Sequence, residues 1–273
     1  MRLAFDTSLL RSLPVEEAFE EISKAGYSHI EIGLTHFSAS ESTDEEAVSL
    51  RDALSRYHLD LAALCGIYPF SYPEEEVRAA GVQLYLKAID RAQSLGCRLL
   101  ISELNGDMDH RSESQLAFFK SFDEIRPHLE KTDVTLCFEA HPGDFVESNT
   151  LAVDLIRKVN SNQLRYLYCA PHSFILGRNI PEMIEYAKEV IGYVHIADSL
   201  RPEKTFFSGR YFPKVLPHQH LLPGLGDVDL KALVTALKKL NYDGFVTVNP
   251  FSHFDHPVES LKDSKSKTDA LLN

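Results

Sequence analysis

The stretch Thr135-Leu-Cys-Phe-Glu-Ala-His-Pro142 is a short apolar run that ends in an acid, a histidine and a proline. Runs of this length and composition are typical of a buried strand. Successive side chains of a strand point to opposite faces, so Cys137, Glu139 and His141 share one face. A carboxylate on the inward face of a buried strand is costly unless a partner such as a cation compensates its charge. The stretch therefore predicts a strand with its chemistry at the carboxyl end.

Other apolar runs along the chain have the same design and also end in polar residues. These residues are Glu103, Cys169 with His172, His195 and Asn249. Polar groups gathered at the ends of several strands predict one shared site.

Strand-like segments alternate with helical segments over the whole chain. The predicted strands are Arg2–Thr7, His29–Leu34, Leu59–Ile67, Arg98–Leu104, Val134–Ala140, Leu164–Cys169, Gly192–Ala197 and Gly244–Val248. This alternation implies a parallel sheet with right-handed crossovers. Eight units in 273 residues fit a closed barrel better than an open doubly wound sheet. We therefore predict an α/β fold, a single (β/α)8 TIM barrel over residues 1–273, with its functional residues at the carboxyl ends of the strands.

Charge and cysteine usage limit the partners of the protein. The formal net charge of −12 argues against nucleic-acid binding, which needs a basic face. The four cysteines are dispersed, and the sequence shows no secretory signal and no membrane-length apolar stretch. We therefore expect a cytoplasmic protein with reduced thiols and no membrane partner.

The strand–helix alternation lapses after the seventh strand, over the long loop that begins at Asp198. A loop of this length is usually functional or disordered. On an extended segment His218 and His220 would share one side, as metal ligation or substrate binding requires. Solvated surface histidines are the alternative, but the loop lies at the barrel end of the other polar residues, which favours function. Arg210 is a candidate for binding a polyhydroxylated substrate, although loop arginines are more often solvated.

Motifs at three strand ends and in the long loop together resemble the xylose-isomerase-like TIM barrels, the sugar phosphate isomerase/epimerase superfamily. These motifs are Phe138–Pro142, Cys169–His172, Val194–Asp198, His218–His220 and Pro223–Asp229. The family includes sugar-phosphate isomerases and epimerases, hydroxypyruvate isomerases, inosose isomerases and dehydratases, and endonuclease IV. The resemblance covers nearly the whole chain, and within the family it is strongest to proteins of inositol catabolism.

The resemblance implies a divalent metal site with two departures from the family pattern. The usual ligands are Glu, Asp, His and Glu, from strands five to eight. Glu139 and His195 match, whereas Cys169 stands in the aspartate position and Asn249 in that of the last glutamate. A thiolate suits soft or borderline cations and an amide oxygen is a weak ligand, so affinity for hard cations should fall.

A second family pattern implies a shifted metal position. Endonuclease IV-like members bind a further metal through the strand-six histidine and an Asp-x-His pair. The matching residues here are His172, His218 and His220, an imidazole cluster suited to zinc or another transition metal. The cation (zinc, manganese, cobalt or magnesium) is expected in the usual position or in the shifted one, and its absence remains a third alternative.

The chemistry that the resemblance implies is proton movement next to a carbonyl. A divalent metal acidifies the C–H between a ketone and its neighbouring hydroxyl and stabilises the enediolate, while a carboxylate such as Glu139 takes the proton. The relatives' epimerisation uses acids from strands five and eight, which Asn249 impairs. Glu103, expected across the site, is the best second acid. His141 and Asp198 are candidate substrate-binding residues.

Three functions remain open at this point. The first is an isomerase, epimerase or dehydratase that acts on a keto-sugar or inosose in inositol or related carbohydrate catabolism. The second is a phosphodiesterase of the endonuclease IV kind, which the acidic charge opposes. The third is a catalytically silent sugar-binding protein. The expected partner is a small polyhydroxylated ketone, and homo-oligomer formation stays open.

Overall fold

Eight parallel strands close into a barrel in sequence order, with the first strand paired to both the second and the eighth. The computed structural model describes residues 1–175, 179–201, 219–250, 252 and 255–272. The strands are β1 Arg2–Asp6, β2 His29–Ile32, β3 Asp60–Cys65, β4 Leu99–Glu103, β5 Thr135–Glu139, β6 Leu164–Cys169, β7 Ile191–Ile196 and β8 Phe245–Val248. The predicted TIM barrel is confirmed.

Helices lie between the strands, as the alternation predicts. They are α1 Val15–Lys24, α2 Asp44–Arg56, α3 Glu75–Ser94, α4 Arg111–Leu129, α5 Asn149–Val159, α6 Ala170–Ile175, α7 Ile180–Ala187, α8 Leu230–Lys239 and α9 Pro257–Leu272. The start of α2 is a capping box, in which Thr43 and Glu46 exchange side-chain to backbone hydrogen bonds. Within the described part of the chain, no helix has the length and apolarity needed to cross a membrane.

The barrel interior is filled by closely packed side chains, most of them small or medium in size. It consists of Ala4, Ala62, Ala63, Ile101, Cys137, Leu167, Cys169, Tyr193 and Phe245. The hydroxyl groups of Tyr193 and Thr247 lie 2.6 Å apart within the barrel, so these buried polar groups satisfy each other. Because the interior is filled, a ligand has room only above it, at the carboxyl ends of the strands.

Strand register sets the height of the polar residues at that end. Neighbouring parallel strands in register bring their last residues side by side. The pairs are Asp6 with Glu31, Glu103 with Glu139, and Cys169 with His195. The three pairs thus form most of a polar ring above the interior.

Helix α6 is a feature that the sequence did not predict. It begins at Ala170, directly after β6, where Ser173 donates a hydrogen bond of 2.7 Å to the carbonyl of Cys169. Tyr166 donates to Asn149, whose amide in turn donates to Ser173, so the turn is tied to α5. Because the chain turns into a helix at once, His172 lies over the barrel mouth.

Candidate active site and metal centre

A cavity of about 230 Å³ opens at the carboxyl ends of the strands. Its charged and titratable lining consists of Asp6, Glu31, Glu103, Glu139, His141, His172, His195, His220 and Cys65. Among the described residues that line it there is no lysine or arginine. The cavity therefore offers carboxyl oxygens and imidazole nitrogens to a cation or to the hydroxyl groups of a polyol.

Glu139 ends β5 and is 7% exposed. Its Oε2 lies 3.1 Å from Nδ1 of His172, on the helix that follows the neighbouring strand. Burial lowers the pKa of His172 well below its ordinary value, and the nearby imidazoles of His141 and His195 act in the same direction. His172 is therefore neutral at ordinary pH and does not compensate the charge of Glu139.

The proton positions of two histidines are set by the main chain. Nδ1 of His220 lies 3.0 Å from the carbonyl oxygen of Asn249, and its Nε2 lies 3.1 Å from Nε2 of His172. A carbonyl oxygen only accepts, so the neutral His220 carries its proton on Nδ1 and accepts at Nε2. His172 then donates from Nε2 and presents the lone pair of Nδ1 to Glu139. A cation bound between Oε2 of Glu139 and Nδ1 of His172 would interact favourably with both atoms.

His195 is paired with an acid on the second strand. Its Nε2 lies 2.9 Å from Oε2 of Glu31, and both side chains are almost fully buried. Burial alone would lower the pKa of His195, but attraction to Glu31 and Glu139 outweighs it and raises the pKa to about 9. Nδ1 of His195 has no hydrogen-bond partner among the residues that the structure describes. Glu31 is thus the acid partner of a buried base at the barrel mouth.

Two overlapping groups of donor atoms fit a divalent cation. In each group the ligand atoms lie within 4.8 Å of one another. The groups are Glu139 with Cys169 and His195, and Cys169 with His172 and His220. Asn249 is 3% exposed, and its Oδ1 has no hydrogen-bond partner in the described part of the chain. Thiol, imidazole and a single carboxylate together suit zinc-type cations better than magnesium.

The structure thus brings together six of the predicted metal-site residues. They are Glu139, Cys169, His172, His195, His220 and Asn249. The other predicted ligand, His218, and the predicted substrate-binding residue Arg210 lie outside the described residues.

Glu103 lies beside Glu139 on the adjacent strand rather than across the cavity as expected. Burial raises the pKa of Glu103 to about 9, and the charges of Glu139 and Asp144 act in the same direction. Glu103 is therefore protonated at neutral pH and can donate a proton. Its Oε1 lies 3.8 Å from Nε2 of His141, which also lines the cavity.

Asp144 is a residue of this region that sequence reasoning missed. Its Oδ2 lies 3.5 Å from Nδ1 of His141, and its backbone N–H donates to the carbonyl of His141 in a tight turn. Burial raises the pKa of Asp144 to about 7, and repulsion from Glu139 and Glu147 adds to the shift. The one signal for it in the sequence is a glycine–aspartate pair, Gly143-Asp144, shortly after the histidine.

Asp198 does not take the substrate-binding position predicted for it. It is not among the described residues that line the cavity. Its buried carboxylate accepts hydrogen bonds from the backbone N–H groups of Ser199, Gly224 and Val228. These bonds engage the carboxylate with the main chain, which leaves it no free face for a ligand.

Comparisons with known proteins agree with this architecture. The family model described as "Xylose isomerase-like TIM barrel" matches residues 19–269, which confirms the resemblance. The inosose isomerase of Bacillus velezensis is 21% identical, with 100% of this chain and 98% of that protein covered. An inosose dehydratase of Lacticaseibacillus casei is 19% identical, with 96% and 91% covered. The crystal structure of the IOLI protein with a bound zinc atom has a TM-score of 0.82 and 20% identity, with 100% of this chain and 98% of that chain covered.

Proposed function

The chain belongs to the xylose isomerase-like TIM barrel family, and we propose that it is a metal-dependent sugar isomerase or epimerase acting on a keto-sugar or inosose by enediolate chemistry. The observation that carries the proposal is the pairing of the buried Glu139 with the half-buried Glu103, beside a cluster of imidazole and thiol donors. The names of the relatives, inosose isomerase and inosose dehydratase, support an inosose or a related ring ketone as the substrate.

Glu139 is the proposed general base. It ends a strand rather than a loop, so its position is held by the barrel, and it faces the cavity. A base within hydrogen-bond reach of an acidified C–H accelerates proton removal by roughly 10²–10⁴-fold. Nδ1 of His172 lies 3.1 Å from this carboxylate, on the side of the imidazole donors.

Glu103 is the proposed proton donor. Its raised pKa, about 9, keeps it protonated where Glu139 must be ionised to act as a base. The two groups lie on neighbouring strands, so a proton leaves and returns on the same side of the substrate. The acids of the far side are engaged, Asp6 by the backbone N–H of Ser8 and Glu31 by His195. This one-sided arrangement favours isomerisation over epimerisation, which needs proton transfer at both faces.

The proposed cation is zinc or a similar borderline metal, held by Glu139, His195, Cys169, His172 and His220 in one of the two overlapping groups. When bound, it would supply positive charge to the ketone and hydroxyl oxygens and so acidify the C–H between them. The zinc atom named for the IOLI protein supports this choice of cation.

The test combines metal content with proton exchange. The purified protein is assayed for bound metals, and then incubated in D₂O with a panel of inososes and keto-sugars followed by NMR. We expect bound zinc, together with deuterium on the carbon next to the carbonyl of the true substrate and formation of its isomer. Loss of water from the substrate would instead identify a dehydratase. Binding of these compounds without exchange or product would identify a silent sugar-binding protein and overturn the proposal.

A further inference from the structure

Residues 219–228, which we name the return segment, bring His220 into the cavity from outside the strand framework. His220 is 1% exposed, and its carbonyl accepts a hydrogen bond from the backbone N–H of Ser252. The next residue, Leu221, forms an isolated antiparallel bridge with Asp198, with both N–H···O distances 2.9 Å. The position of His220 therefore depends on how the return segment is held at the end of β7.

The carboxylate of Asp198 holds this segment at two further points. Its Oδ2 lies 2.9 Å from the N–H of Gly224, and its Oδ1 lies 3.0 Å from the N–H of Val228. The same Oδ1 also accepts from the N–H of Ser199 at 2.9 Å, next to Asp198 itself. A carboxylate that is 1% exposed would be costly without partners, and these charge-assisted bonds compensate it.

Gly226 shows how closely the segment wraps around this carboxylate. A Cβ at this position would lie 2.3 Å from Oδ1 of Asp198 and 2.6 Å from the carbonyl oxygen of Ser199. Only a residue without a side chain fits there unless the Asp198 carboxylate moves. The contact between the segment and Asp198 is therefore as tight as van der Waals packing allows.

We propose that Asp198 is a positioning residue for cation binding, which acts by fixing the return segment and so placing the imidazole of His220 beside that of His172. The bridged residue Leu221 is directly bonded to His220, and consecutive Cα atoms are about 3.8 Å apart. A displacement of the Asp198 carboxylate therefore acts on the residue next to His220. The proposal rests on the proposed function, because that function gives His220 its role as a donor to the cation.

The substitution that tests the proposal is Asp198→Asn. An asparagine keeps the volume and one acceptor oxygen, but its amide group directs N–H towards a backbone N–H that needs an acceptor. The probe is Co²⁺ titrated into the metal-free full-length protein, because the visible spectrum of bound cobalt reports the number and type of its ligands. We expect Co²⁺ affinity to fall roughly 10- to 100-fold, as for other residues that support a ligand, with a changed visible spectrum.

A double-variant cycle separates positioning from a general loss of stability. We expect His220→Ala to change the cobalt spectrum in the same way, and Asp198→Asn to add no further loss in that background. Additive losses would contradict the proposal, because Asp198 would then act by a route other than His220. The matched control is Asp229→Asn, which leaves binding unchanged because asparagine replaces aspartate well as the N-cap of α8.

Gly226→Ala is a second test that keeps the carboxylate, and it serves if Asp198→Asn does not fold. We expect Co²⁺ affinity to fall here too, since the added Cβ displaces the return segment from the Asp198 carboxylate. Wild-type affinity and spectrum in the folded variants would overturn the positioning role alone. Absence of Co²⁺ and Zn²⁺ binding by the wild-type protein would overturn the proposed metal-dependent function and this inference with it.

Discussion

Two sides of the cavity mouth carry different chemistry, although the same barrel builds both. The carboxylate wall, formed by β4, β5 and the turn after β5, carries Glu103, Glu139 and Asp144. The imidazole wall, formed by the ends of β6 to β8 and the return segment, carries His172, His195 and His220 with Cys169 and Asn249. On the first wall carboxyl groups lie side by side, whereas on the second the donors are imidazole nitrogens, a thiol and an amide oxygen.

The difference teaches how one small cavity can separate two tasks. Burial, with added repulsion from Glu139 and Asp144, raises the pKa of Glu103 to about 9, which suits proton transfer. Burial lowers the pKa of His172 and raises that of the Cys169 thiol, so neither adds charge unless a cation draws off the thiol proton. Glu139 contacts both walls. Substitutions on the carboxylate wall should therefore change turnover, and substitutions on the imidazole wall should change cation binding.

The largest effect is expected where the walls meet. Glu139→Gln keeps the volume but removes the charge and the base, so turnover on the identified substrate should fall by roughly 10²–10⁴-fold. Steady-state kinetics would measure the loss. Glu147→Gln is the matched control, because Glu147 lies in the same turn but pairs with Arg111 and does not line the cavity. Unchanged turnover in Glu139→Gln would remove Glu139 from the centre of the mechanism.

A change confined to the imidazole wall comes next. Cys169→Ser keeps the shape but replaces a soft donor by a hydroxyl that does not ionise, so Zn²⁺ affinity should fall by more than about tenfold. Competition with a chelating dye would measure the affinity. Cys97→Ser is the control, since that thiol donates to the carbonyl of Leu99 and does not line the cavity. Equal Zn²⁺ affinity in the two variants would argue that the cation does not contact Cys169.

Asn249→Glu would add one carboxylate to the imidazole wall. The added charge should favour harder cations and tighten Mn²⁺ binding by no more than about tenfold, or about 1.4 kcal/mol. The gain is small because a further buried carboxylate also repels Glu139. Calorimetric titration with Mn²⁺ checks it, with Asn249→Gln as the neutral control. Weaker Mn²⁺ binding in the glutamate variant would mean that residue 249 does not face the cation.

The smallest effect concerns stability and pH in the cation-free protein. The pKa of Glu103 rises from 4.5 to about 9 on folding, so the folded state binds more protons between these values. The contribution of Glu103 to the free energy of unfolding is fully present below pH 4.5. It is lost as the pH rises to the folded-state pKa of about 9. Thermal unfolding should therefore shift down between about pH 6 and about pH 9, and Glu103→Gln should remove part of that shift. An identical pH dependence in both proteins would contradict the assignment.

The fold was predictable because its signals are local and repeated. Each strand carries its own apolar run, and closing the barrel brings the carboxyl ends of all strands together, as Glu103, Glu139 and His195 illustrate. The resemblance of the motifs adds the candidate metal ligands, and the structure places the described ones close together. The sequence alone therefore predicts which polar residues lie at the carboxyl ends of the strands.

The relations between these residues were not predictable in the same way. That Glu31 pairs with His195 depends on the distance across the barrel, and that Asp198 binds three backbone N–H groups depends on how a long loop returns. Helix α6 was missed because the apolar run of β6 leads into it without a break. These features arise from contacts between residues far apart in the chain, on which a local pattern carries no information.

The carbonyl that fixes the proton on His220 belongs to the backbone of residue 249 and not to its side chain. Every amino acid supplies that same carbonyl. The backbone of the barrel therefore fixes which nitrogen of His220, and through it of His172, carries the proton. A substitution at position 249 therefore keeps the carbonyl that accepts from Nδ1 of His220. Selection for a new cation could act on this position without first rebuilding the site around it.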